Sequence, residues 1–155
     1  MNGKNKIFLD TAPIIYFLEK NETYGLIVSQ KIKEVIENED QIVISALCYG
    51  EYLTVPYRNK DVVKEKNFEK FIKDLNIIVY DINVDIMKIA AKLRAKHRGL
   101  KMPDAIQLAT SKYAKCKEFL TNDARLERIK EVNTIILSWK ITKKYNNKNT
   151  TQIIT

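Results

Sequence analysis

The stretch KIFLDTAPIIYFL, Lys6–Leu18, runs from a short apolar segment through a single acid into a helix start. KIFL is too short for a helix and does not alternate apolar with polar residues. That is the pattern of a parallel strand buried on both faces. Four more runs of this kind follow: Ile42–Ser45 (IVIS), Ile77–Tyr80 (IIVY), Glu118–Thr121 (EFLT) and Thr134–Leu137 (TIIL). Helical periodicity fills the gaps. Tyr24–Glu37 aligns Val28, Ile32, Val35 and Ile36, and Asp61–Leu75 aligns Phe68, Phe71, Ile72 and Leu75. Asp85–Arg98 aligns Ile86, Ile89, Ala90 and Leu93, with Gly99 as its stop. Pro103 then sits in the first turn of a helix running to about Lys115. Strands alternating with helices predict an α/β fold with a mostly parallel sheet.

The chain has 155 residues, which suits one domain with a sizeable core. We expect that domain over residues 1–139 and a frayed, basic, asparagine-rich tail over residues 140–155. No run approaches the ~18 apolar residues of a membrane span, and the N-terminus lacks a signal-peptide apolar region, so a cytoplasmic protein is expected. Cys48 and Cys116 have no C-x-x-C spacing and read as free thiols. His97 is the single histidine, which excludes a two-histidine ribonuclease mechanism within one chain. The formal net charge is +8; the tail holds four lysines and no acid, leaving 8 − 4 = +4 for the rest. Such a balance fits a polyanionic partner such as nucleic acid, and equally a lysine-rich soluble surface.

In open parallel sheets, sites form beyond the carboxyl ends of the strands. Strand one ends in Asp10-Thr11 and strand four in Thr121-Asn122-Asp123. Strand two leads into a helix containing Glu51, and Asp104 opens the helix that feeds strand four. Each acid has an ordinary reading. Asp10 and Asp123 suit helix caps, and Asp104 suits a helix N-terminus, where a negative charge contributes about 0.3–1 kcal/mol. Glu51 is the awkward one. Helical spacing groups it with Leu47, Cys48, Tyr52 and Val55, within an apolar stripe, so it is buried there, lies at the stripe's edge or pairs with a lysine. Carboxylates clustered without His or Cys ligands suit hard cations such as Mg²⁺ or Mn²⁺. Cationic residues from Lys88 to Lys101 lead towards Asp104 and could guide a phosphate backbone.

The motifs IFLDTAPIIYFL, ISALCYGEYL, MPDAIQLATSKYA and FLTNDARL occur in an order that resembles the PIN-domain family. The resemblance covers about residues 6–138. It implies a three-layer α/β/α sandwich with strand order 3-2-1-4-5. It places the acidic metal site at Asp10, Glu51, Asp104 and Asp123, with Thr121 in support and Thr11 and Asn122 as accessories. It further implies a Mg²⁺- or Mn²⁺-dependent endoribonuclease acting on RNA. Many small members are VapC-like toxins, paired with an antitoxin protein and often homodimeric. Two other readings compete. One is a catalytically silent PIN-like scaffold that binds nucleic acid or protein. The other is a receiver-like phosphoacceptor, disfavoured because Thr11, not a second acid, follows Asp10.

Overall fold

A computed structural model of the chain describes residues 4–137, so the expected basic tail lies outside the described residues. The elements run β1 (Lys6–Leu9), α1 (Thr11–Leu18), α2 (Gly25–Glu37), β2 (Gln41–Ser45), α3 (Ala46–Arg58) and α4 (Val62–Asp74). Then come β3 (Ile78–Tyr80), α5 (Val84–Lys96), α6 (Met102–Tyr113), β4 (Glu118–Thr121), a 3-10 helix (Ala124–Arg128) and β5 (Thr134–Ile136). Every strand pair is parallel and the order is β3-β2-β1-β4-β5. Receiver-like folds run 2-1-3-4-5, so this order removes the phosphoacceptor reading.

The three central strands are buried on both faces, and their side chains divide by parity. Ile7, Leu9, Ile42, Ile44 and Leu120 pack against α1–α4 with Ile14, Val28, Phe68 and Phe71. Phe8, Val43 and Phe119 turn the other way, onto α5, α6 and the 3-10 helix with Ala90, Leu93 and Leu108. The sheet is thus the middle of three layers. Phe8 and Phe119 stack across the β1–β4 ladder at 5.1 Å between ring centroids.

Two local expectations are corrected. Ile36 is 53% exposed, because the buried face of α2 runs through Ile27 and Val28 to Ile32 and Val35. Helix α5 ends at Lys96 rather than Arg98: His97 adopts an extended backbone and turns to Glu131. Gly99 therefore sits in the turn beyond the helix end, with φ +79, a left-handed conformation that favours glycine. Asp123, read as a helix cap, does cap a helix, the short 3-10 helix that follows it.

Candidate functional site

The strand order reverses at β1, between β2 on one side and β4 on the other. The crevice beyond the carboxyl ends of β1 and β4 is the topological switch point, where open α/β sheets place their ligands. Asp10 leaves β1 at that crevice. Its backbone N–H donates to Leu120 O at 2.9 Å, continuing the ladder one residue past the strand. Its carboxylate caps α1 by accepting from Thr11 N at 2.8 Å, and its other oxygen accepts from Thr121 Oγ1 at 2.7 Å. Thr121 is fully buried, and its hydroxyl also accepts from Asp123 N at 3.1 Å. Thr121 thus ties the ends of β1 and β4 to one carboxylate. Burial pushes the Asp10 carboxyl up to about 6 despite these donors, and the charges of Glu51 and Asp104 push the same way. Both charges among the leading influences on it are negative.

Glu51 reaches the crevice from α3. It lies at the exposed edge of the apolar stripe rather than inside it, and Val55 beside it is 46% exposed. Of the sequence readings, the stripe's edge holds and a place inside the stripe is corrected. The helix turns that face only partly inward, burying Cys48, Tyr52 and Leu53. Glu51 Oε1 nevertheless has two fixed partners: Thr11 Oγ1 donates at 3.2 Å and Gln107 Nε2 at 3.1 Å. Gln107 is 2% exposed, and its Oε1 accepts from the buried Ser45 Oγ at 2.6 Å. Sequence reading did not single out Gln107. The available signal was a glutamine one turn after Asp104, among the apolar residues of α6.

Asp104 stands in the first turn of α6, whose N-cap, Lys101, makes no side-chain capping bond. Burial and the nearby charge of Asp123 raise its carboxyl above the usual carboxylate range. Asp123 goes the other way. The Arg125 side chain holds it down through hydrogen bonds from Nη2 at 2.6 Å and Nε at 2.9 Å. Asn122 faces elsewhere, donating to Tyr16 Oη at 2.7 Å. The electrostatic neighbours thus run Glu51, Asp10, Asp104, Asp123 along one crevice. Among the described residues, no three His, Cys, Asp or Glu side chains close into a metal-ion cage. Asp123 is turned onto its own arginine, and Asp10 and Glu51 are each held by their own donors. The donor set itself is all carboxylate oxygen, the chemistry of a hard divalent cation.

The family model described as PIN domain matches residues 7–132. The chain belongs to the PIN-domain family. This PIN domain is also similar in fold to several solved structures. One is VapBC2 from Rickettsia felis bound to a DNA fragment from its promoter, with a TM-score of 0.68 at 15% identity, covering 86% of this chain and 99% of that one. Another is VapBC-1 from nontypeable Haemophilus influenzae, at 0.67 and 19% identity, covering 85% and 98%. A third is FitAcB from Neisseria gonorrhoeae, at 0.64 and 16% identity, covering 83% and 96%. Comparison with curated protein sequences gave no match.

Beside the acids of this PIN domain lies a cleft of about 590 Å³ between the α5–α6 turn and the 3-10 helix. Lys101, Arg125, Arg128 and Lys130 line it, together with Asp104, Asp123 and Glu127. Arg128 is pinned there by donating to Arg98 O at 3.0 Å. The expected basic run from Lys88 divides on inspection. Lys96 and His97 are engaged with Glu131, and Arg94 Nε bonds Leu100 O at 2.9 Å, bracing the turn. Lys88, Lys92 and Arg98 are exposed.

Proposed function

We propose that this PIN domain is a Mg²⁺- or Mn²⁺-dependent endoribonuclease and the toxin half of a toxin–antitoxin pair. The observation that carries the reading is Asp10: a half-buried carboxyl at the switch-point crevice, held by Thr121 Oγ1 and the Thr11 N–H and raised to about 6 by burial, with Glu51 and Asp104 pushing the same way. Burying a carboxylate is costly unless an opposite charge compensates. A divalent cation held by Asp10, Asp104 and Asp123, with Glu51, supplies that charge. The chemistry that a cation held there would supply is activation of water and stabilisation of the charge developing on the phosphate. The chain's own contribution is to hold the ligands. Thr121 and the Thr11 N–H fix both oxygens of Asp10, while the Thr11 hydroxyl and Gln107 aim Glu51. Asn122 fixes the turn after β4 through Tyr16.

RNA as substrate is supported by the basic body and by the cationic cleft that meets the acids. A protein antitoxin as partner is supported by the VapBC complexes that share the fold. We assign residues 1–139 to the nuclease domain, with the lysine-rich residues 140–155 as an appended basic segment, and expect a homodimer. Asp123 clasped by Arg125 favours a second reading, a silent scaffold that binds RNA without cutting it. Incubation with a mixed RNA pool separates the two. Cleavage in Mg²⁺ or Mn²⁺ that EDTA and Asp10→Asn both abolish is the expected result; RNA binding without cleavage in either metal establishes the scaffold. Asp10→Asn removes an uncompensated charge, so without metal it should melt no lower than the wild type. A folded Asp10→Asn protein with full activity overturns the mechanism.

A further inference from the structure

Arg125 has an arrangement that the proposed chemistry does not use. Its Nε donates to both oxygens of Asp123, at 2.9 and 3.2 Å, and its Nη2 to one of them at 2.6 Å. Its backbone N–H donates to Asp123 Oδ1 at 3.0 Å. A planar guanidinium thus occupies the carboxylate through both oxygens, the geometry in which arginine binds oxyanions best. The arginine side chain is 73% exposed and that of Asp123 24%, so solvent screens the pair and the guanidinium is accessible to a ligand in the cleft. The same side chain lines the cleft with Lys101, Arg128 and Lys130. The anions Asp104, Asp123 and Glu127 of the same lining offset most of those four cations. A dication held by Asp104 and Asp123 would neutralise two of those anions and leave the cleft strongly cationic.

We propose that Arg125 serves two partners in turn: Asp123 while the centre lacks a cation, and a backbone phosphate of the RNA substrate once a divalent cation takes Asp123. Arg125 is then a substrate-positioning residue whose availability depends on the metal. The inference rests on the metal-dependent nuclease reading. Arg128, anchored to Arg98 O, keeps the cleft wall in place whichever partner Arg125 holds.

The test compares wild type, Arg125→Ala and Arg125→Lys, using the backbone cap at Asp123 as a feature that all three retain. Isothermal titration with Mn²⁺ alone, without RNA, should show Arg125→Ala binding the metal about two- to fivefold more tightly, since an exposed competitor of that size is gone. With RNA, the same variant should raise KM about threefold or more with little change in kcat. The slope of log KM against log salt should fall by about 0.7, the loss of one single-strand phosphate contact. Arg125→Lys, which keeps the charge without the fork, should recover most of the salt slope. A purely structural arginine would not tighten metal binding while weakening RNA binding. Unchanged or weaker Mn²⁺ affinity in Arg125→Ala overturns the proposal, as does an unchanged KM and salt slope. If wild type binds Mn²⁺ and cleaves RNA while Arg125→Ala behaves identically, only the Arg125 assignment falls. If neither protein binds Mn²⁺, the metal-centre reading falls and this inference with it.

Discussion

Gln107 shows how a buried amide can set the geometry of an acid that is itself partly in solvent. Its Oε1 takes the proton of Ser45, a hydroxyl with no exposed surface, and its Nε2 is shared among Glu51, Cys48 Sγ at 3.3 Å and Thr11 Oγ1 at 3.4 Å. Gln107→Leu keeps the volume but strips both ends of that link. Ser45 then keeps a buried donor without an acceptor, an error that costs about 1–3 kcal/mol. Glu51 keeps only Thr11. Urea unfolding should therefore show a loss of that size, and Mn²⁺ titration a weaker site, while circular dichroism stays the same. An unchanged unfolding midpoint would mean that Ser45 finds another acceptor. Glu51 also shows where sequence reasoning ran short at this scale. Periodicity placed it among apolar residues and suggested burial, but the position of a stripe's edge depends on how far a helix is rolled against its sheet. Its hydrogen-bond partners come from residues 40 and 56 positions away, a relation no local pattern contains.

Elements were the most legible scale, and the reason is periodicity. All five strands lie within one residue of the runs read from sequence, since a continuous apolar run bounded by turn residues has few other uses. Helix ends were less legible where a tertiary partner decided them. Arg98 continues the pattern of α5, yet the helix stops at Lys96 because His97 leaves to meet Glu131. Helix caps give a sharper lesson. Asn83 caps α5 through Ile86 N at 2.9 Å and Asp61 caps α4 through Lys64 N at 3.0 Å. Helix α6 begins on Lys101, with an extended backbone at φ −74 and ψ 153 that suits a serine cap, and has none. A lysine there forgoes capping but adds a cation to the cleft. Lys101→Ser should accordingly raise stability by about 0.5–1 kcal/mol in thermal or urea unfolding while raising KM for RNA. A variant that gains stability at unchanged KM would show that Lys101 contributes nothing to substrate binding.

On the scale of the whole molecule, an acidic crevice is set into a body of net charge +8. Acid pH discharges the carboxylates and leaves the lysines, so self-repulsion grows and every carboxylate still paired in the fold counts for more. Glu131 is the clearest such group outside the crevice. Hydrogen bonds from Lys96 Nζ at 2.5 Å and His97 Nε2 at 3.0 Å hold its carboxyl down at about 2, with Lys96 the larger influence. The contact joins the end of α5 to the segment leading into β5, where Val132 packs on the layer under Phe8 and Phe119. A depressed folded pKa means the native state binds the proton less readily than the unfolded chain. Its stabilisation is therefore fully present above the ordinary value of 4.5 and drains away as pH falls towards 2. Denaturant melts between pH 7 and 2 should show wild type more stable than Glu131→Gln at pH 6, with the gap closing steadily below about pH 4.5. Lys96→Met should reproduce most of that change, because its hydrogen bond is the main cause of the shift. A gap that persists unchanged at pH 2 would assign the effect of Glu131 to packing rather than to charge.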